Sequence, residues 1–144
     1  MCLFTNDLTC KIAEEPITVY KVIRYDNTSI VKDFKYVKNR MNRRVELCPV
    51  TLADTINIIA YKISAGYHSF KSIDISLKYI YNNISTCSYE LINGFVKISK
   101  FIIPKGSMYY ENDYSIVSNR IIYKSDISLT RIKLFHYRLY RMIK

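Results

Sequence analysis

Two runs of β-branched and aromatic residues constrain this chain most. Behind Pro16 stands Ile-Thr-Val-Tyr-Lys-Val-Ile-Arg (17–24), and behind Gly94 stands Phe-Val-Lys-Ile-Ser-Lys-Phe-Ile-Ile (95–103). Such side chains lose rotamer freedom in a helix and pack well on a pleated surface, so both runs predict long strands, the first buried on at least one face. Around them, Asp26-Asn27 supplies a turn, and a second short strand is expected in Ser29–Tyr36. The basic segment Lys38–Arg44 is too polar to pack and reads as a solvated loop or irregular edge. Pro104-Lys105-Gly106 makes a turn before Ser107–Tyr110, Glu111–Asp113 makes another, and Tyr114–Tyr123 is the last β-rich run.

Helical spacing appears in three places. Pro49 and Thr51 introduce Leu52, Ile56, Ile59, Ala60 and Ile63, recurring at helical intervals until Gly66 stops the element. Thr51 with Asp54 is a variant of the capping box. Gly66–Phe70 reads as a short strand or bend. Ser72 caps a second helix with Ile73, Leu77, Ile80 and Tyr81 on one face, ended by Asn82-Asn83. The third is Ser125–Lys144, where Ile132, Phe135, Leu139, Met142 and Ile143 share one side and Arg131, Lys133, Arg138, Arg141 and Lys144 share the other. Ser125 or Ser128 caps it.

The expected fold is therefore α+β: a single domain, mostly antiparallel sheet, with two helices between the early and late strands and a basic amphipathic C-terminal helix. Residues 1–15 form an N-terminal arm, 16–124 the α+β domain and 125–144 the basic helix. With 144 residues, a domain buries about 68–70% of its unfolded surface without a disulfide or metal staple. Glycine and proline are too scarce, at three each, for a collagenous or low-complexity chain. No apolar run reaches the roughly 18 residues of a spanning helix. Residues 1–15 lack the basic start and apolar middle of a secretory signal, so a soluble protein of the cytoplasm is expected, in a host cell or a virion if phage-encoded.

The net charge is +10. Abundant Ile, Lys, Tyr and Asn with few Ala and no Gln or Trp suggest AT-rich coding, so part of the lysine excess is mutational. Arginine is the better witness, and six of the eight arginines fall in two clusters: Arg40, Arg43, Arg44 and Arg131, Arg138, Arg141. Residues 1–30 are net −1, 31–50 net +4 and 51–144 net +7. A field of that sign favours nucleic acid, nucleotides, an acidic protein surface or an anionic membrane, without choosing among them.

Cys2, Cys10, Cys48 and Cys87 form no C-x-x-C pair, and His68 and His136 have no i, i+4 ligand spacing. Reduced thiols, mostly buried, are expected, with no metal and no cofactor. Lys105-Gly106-Ser107 lacks the spacing of a phosphate loop and follows a strand without opening a helix.

The segments Met1-Cys2-Leu3, Lys-Ile-Ala-Glu-Glu-x-Ile-x-Val-Tyr-Lys-Val (11–22), Gly-Tyr-His-Ser-Phe (66–70), Ile-Pro-Lys-Gly-Ser-x-Tyr-Tyr (103–110) and Ile-Val-Ser-Asn (116–119) together resemble a group of small uncharacterised proteins of Bacteroidetes and of their bacteriophages. The resemblance covers residues 1 to about 123 and implies no activity. More distantly, the order of motifs is similar to the ADP-ribosyltransferase fold. That similarity places Tyr20-Lys21 at the first motif, His68-Ser69 at the second, and Ser118-Asn119-Arg120 where the catalytic glutamates belong. The chain offers Glu111 only in the preceding turn, so the resemblance implies a nucleotide-sized pocket rather than the reaction.

Candidate nucleotide- or anion-binding residues are Lys21, Arg24, Tyr67, His68, Ser69 and Asn119. His68 suits phosphate binding or acid–base work, and equally a backbone hydrogen bond at the end of a helix. Lys21 and Arg24 read as anion ligands or as ordinary solvent-facing strand residues. Tyr109 and Tyr110 suit base stacking or simple packing. The basic patch comprises Arg40, Arg43, Arg44, Arg131, Lys133, Arg138, Arg141 and Lys144. With no triad, carboxylate pair or metal cluster, the leading expectation is a small basic non-enzymatic binding protein of phage or mobile-element type. Its partner is a protein, a copy of itself or a polyanion such as nucleic acid. The alternative is an ADP-ribosyltransferase-like enzyme or a degenerate relative that binds NAD-derived nucleotides.

Overall fold

The computed structural model describes residues 3–5, 7, 9–30, 34–47, 49–53, 59–82 and 96–128. Its strands are β1 (Leu3–Thr5), β2 (Lys11–Ile12), β3 (Ile17–Arg24), β4 (Pro49–Ala53), β5 (Ile59–Ile63), β6 (Tyr67–Phe70), β7 (Val96–Ile103), β8 (Met108–Glu111), β9 (Ser115–Ser118) and β10 (Ile122–Asp126). The helix α1 (Ile73–Asn82) is the single one among the described residues. Seven strands form one antiparallel sheet in the order β10-β7-β3-β6-β9-β8-β2, and three form a second in the order β1-β5-β4.

The two β-branched runs make the centre of the large sheet. β3 pairs with β7 along its whole length, from Ile17 opposite Ile103 to Arg24 opposite Val96. Both faces of this pair are covered, which is why alternation is imperfect in the sequence. On one face Val19, Ile23, Tyr36, Phe101, Ile103, Ile121 and Tyr123 form a buried cluster. Phe101 stacks on Tyr123 with ring centroids 5.2 Å apart and meets Tyr36 edge-on at 4.9 Å. On the other face Val22, Phe70, Val96 and Ile98 pack under Leu77 and Ile80 of α1. Leu3, Ile63, Tyr110 and Val117 form a third cluster that draws on both sheets.

The helix forms where its spacing predicts. Ser72 Oγ accepts the Ile75 N–H at 3.2 Å, satisfying one of the free donors of the first turn, and Leu77 and Ile80 point to the core. The turn at Pro104 also forms as expected: Gly106 takes the positive φ of 82° and Ser107 N–H returns to the Pro104 carbonyl at 3.1 Å.

The structure corrects the expected fold class in several respects. The helix expected from Thr51 to Ile63 is replaced by β4 and β5, which pair from Pro49 opposite Ile63 to Ala53 opposite Ile59. Thr and Ile are indifferent helix formers, and a strand here gives β1 its partner, with Leu3 opposite Ile63. Helical spacing over a short apolar stretch does not outweigh that pairing. Among the described residues the expected pair of helices therefore gives way to a mostly antiparallel β structure with one helix, α1. Of the short strand expected in Ser29–Tyr36, the described residues 29–30 and 34–36 make isolated bridges, Ser29 to Ile23 and Lys35 to Thr28, and belong to no strand of either sheet. Ser125 does not cap a helix: it lies in β10 opposite Lys100. Asp126 ends the same strand, and beyond Ser128 the expected basic helix, with Arg131, Lys133, Arg138, Arg141 and Lys144, lies outside the described residues. The expected N-terminal arm supplies β1 to the small sheet and β2 to the edge of the large one. No helix among the described residues is long and apolar enough to cross a membrane.

Candidate functional site

The large sheet opens between two of its central strands. β3 and β6 pair at one position, Tyr20 opposite Phe70, and from there Lys21–Arg24 and Tyr67–Ser69 part. On its other side β6 stays paired with β9 from Tyr67 to Phe70, so the gap is confined to the β3 side. A cavity of about 700 Å³ occupies it. Among the described residues it is lined by Lys21, Val22, Phe70, Tyr67, His68 and Gly66 from the two strands and the turn before β6. Ile30, Phe34, Tyr36, Arg43 and Val45 line it from the segment after β3, and Tyr79 from α1.

Lys21 sits between Val19 and Ile23 on the strand and shares their buried face, with 9% of its surface exposed. Its ammonium donates a hydrogen bond to the His68 carbonyl, at the point where the strand ladder no longer supplies an N–H. The face of the Tyr36 ring lies 5.7 Å from Nζ. Among the described residues no ion pair involves Lys21 and no carboxylate lines the cavity. Desolvation without a compensating charge pulls the Lys21 ammonium down to about 7. Burial likewise pushes the phenols of Tyr36 and Tyr67 upward, so both stay protonated donors at neutral pH.

The second feature is a strap. From Lys38 to Val45 the chain runs beside β10 and the turn before it, held by its backbone. Asn39 N–H donates to Tyr123 O at 2.8 Å, Asn42 N–H to Ile121 O at 3.0 Å and Val45 N–H to Asn119 O at 3.0 Å. Tyr67 Oη donates to the Arg43 carbonyl, tying the strap to the cavity wall. With the main chain turned inward, the side chains of Lys35, Lys38, Arg40, Arg43 and Arg44 are exposed. The ion pairs among the described residues, Lys11–Glu111, Lys71–Glu111 and Lys97–Asp126, take none of them. The strap also covers the outer side of β10, which would otherwise present an open edge.

Of the residues singled out in the sequence, Lys21, Tyr67 and His68 come together at the cavity, and Arg43 of the basic patch reaches it. His68 Nε2 lies 3.2 Å from the Ser64 carbonyl, a backbone contact made in a strand and not at a helix end. Ser69 is fully buried, its Oγ finds no hydrogen-bond partner among the described residues, and it does not line the cavity. Asn119 is elsewhere: 3% exposed, its Oδ1 accepts the Met108 N–H at 2.9 Å and fixes the entry to β8. Arg24 braces the turn after β3 through the carbonyls of Ser29 at 3.0 Å and Ile30 at 3.3 Å. Tyr110 is buried in the third cluster and Tyr109 packs against the first. Glu111 belongs to a different depression of about 440 Å³. Burial alone would raise its carboxyl, but Lys11 at 2.7 Å and Lys71 at 3.0 Å outweigh that and hold it below the usual range.

The aromatic lining went unnoticed in the sequence. The sequence places Phe34 and Tyr36 in a short strand, whereas their rings meet edge-on at 5.0 Å and cover the cavity from outside the sheet. The signal for Lys21 was present: a lysine in the middle of a run that packs on both faces has nowhere to reach solvent. Among the described residues no group of three metal-ligating side chains occurs. Cys10 is half-buried with a free thiol.

A mostly antiparallel β protein with a split central sheet and a basic strap is the class that fold and site define. No family model, no curated protein and no solved structure matches the chain.

Proposed function

We propose that this chain is a small non-enzymatic binding protein that holds a polyanionic partner on the strap Lys35–Arg44. The observation that carries the reading is the strap itself: five exposed basic side chains on a backbone pinned at Asn39, Asn42 and Val45, with Glu46 the sole acid between 34 and 47. A pinned cationic strip loses little entropy on meeting phosphates, and its charges act through counterion release. The setting we propose, a phage or mobile element, is read from the sequence motifs alone. The nucleotide-binding alternative has less support, because Asn119 and Glu111 are occupied elsewhere while Lys21 and His68 share the cavity.

The test is anisotropy of a fluorescent oligo-dT with the full chain, titrated between about 50 and 200 mM salt. The triple variant R40A/R43A/R44A is expected to bind at least about tenfold more weakly, with a slope of log affinity against log salt shallower by about 2. Equal affinity of variant and wild type overturns the proposal.

A further inference from the structure

We propose that the cleft between β3 and β6 binds a small amphiphilic anion, an apolar or aromatic body carrying one carboxylate, sulfonate or phosphate group, with the anionic head paired to Lys21. This goes beyond the polyanion reading and does not rest on it.

Size, lining and charge all bear on the occupant. A volume of about 700 Å³ falls within the roughly 300–1,000 Å³ of small-molecule sites. Phe34, Tyr36, Tyr67 and Phe70, with Val22, Ile30 and Val45, give the walls a largely apolar surface rich in aromatic rings, which favours an apolar body. Into these walls the fold places a lysine nine-tenths buried, with no carboxylate among the described lining residues to balance it. An uncompensated buried cation is costly, and a ligand that brings the missing negative charge removes that cost on binding. One of the three ammonium donors serves the His68 carbonyl, and a bound oxyanion is the natural acceptor for the others. Among the described lining residues Lys21 is the one buried cation and Arg43 is exposed, so inside the cleft a single anionic head is what Lys21 can pair with.

The electrostatics of the site make the binding pH-dependent. Lys21 is faced by Tyr67 and His68 from β6, by Tyr36 and Arg43 from the segment after β3, and by Tyr79 from α1. None of these is a carboxylate, whose negative charge would hold the Lys21 proton. Burial leaves Lys21 near 7, so above neutrality the empty cleft holds an amine that must take up a proton when the anion enters.

The probes are 8-anilinonaphthalene-1-sulfonate and N-phenyl-1-naphthylamine, which share one aromatic body and differ by the sulfonate. Fluorescence titration of the full chain is expected to show saturable binding of the sulfonate at one site, at least about tenfold tighter than the neutral amine. Between pH 7 and pH 9 the sulfonate, whose own charge is fixed, is expected to lose at least about tenfold in affinity. K21M, which replaces the amine by an apolar chain of similar length, is expected to erase both the preference and the pH dependence while still binding the neutral probe. Wild type that binds the two probes equally, or that shows no saturable sulfonate site, overturns the proposal without recourse to any variant. A K21M protein that retains the sulfonate preference overturns it as well.

Discussion

The Lys21 ammonium donates to the carbonyl of His68, 47 residues away in the chain, where β3 and β6 cease to pair. A side chain there takes the place of a backbone N–H, so the sheet splits without leaving that carbonyl unsatisfied. The cost is a desolvated cation inside a largely apolar wall.

That cost sets a pH dependence. Folded, Lys21 titrates at about 7; unfolded, it returns to the ordinary 10.5, so between these values unfolding takes up a proton and stability rises with pH. Urea denaturation at pH 7 and pH 9 is expected to show wild type gaining on the order of 1 kcal/mol per pH unit relative to K21M. Parallel behaviour of the two proteins would place Lys21 in water.

Gly66 is a point where a side chain cannot be added. Its φ is 118°, and a Cβ would stand 2.6 Å from both Leu47 Cδ2 and Val117 Cγ2. Gly66→Ala is expected to cost roughly 2–4 kcal/mol, from strain and overpacking together, read as a fall in the denaturation midpoint. A loss below about 0.5 kcal/mol would mean that the turn before β6 relaxes freely.

Asp126 ties three side chains together, accepting from Ser99 Oγ at 2.6 Å, from Lys97 Nζ at 2.9 Å and from Tyr123 Oη. Burial would raise its carboxyl, yet these hydrogen bonds outweigh it and hold the group below the usual range. The stabilisation is therefore present above the ordinary value of 3.8 and lost as pH falls through the lower folded value. Since the side chain is 42% exposed, D126N is expected to cost only about 1 kcal/mol at pH 7. The gap between variant and wild type should close in acid; a gap independent of pH would assign the effect to shape rather than charge.

Tyr67 carries the link between cavity and strap through its hydrogen bond to the Arg43 carbonyl. Tyr67→Phe is expected to lose about 1 kcal/mol of stability and to speed hydrogen exchange at the amides of Asn42 and Val45, which lie on either side of Arg43. Unchanged exchange at those two amides would show that the strap is held by β10 and its preceding turn alone.

Local chemistry made much of the architecture legible. Pro16 followed by Ile17–Arg24, the Gly94-led run to Ile103, the Pro104–Gly106 turn and the Ser72 cap each specify their element within a few residues of chain, and each forms there. Thr51–Ile63 failed because a short apolar stretch fits either period. Its outcome depended on Leu3, some sixty residues earlier, needing a partner strand.

The candidate site divides the same way. The sequence by itself determined that Arg40, Arg43 and Arg44 would be solvated, since three arginines in five residues cannot be packed, and that Tyr67 and His68 follow a glycine turn. Only the tertiary structure decided that β6 lies next to β3 and parts from it after one pair, because strand order and register depend on the packing of both faces at once. That splitting sets the lysine of a β-branched run against the His68 carbonyl and the Tyr36 ring, and no local pattern in the chain encodes those partners.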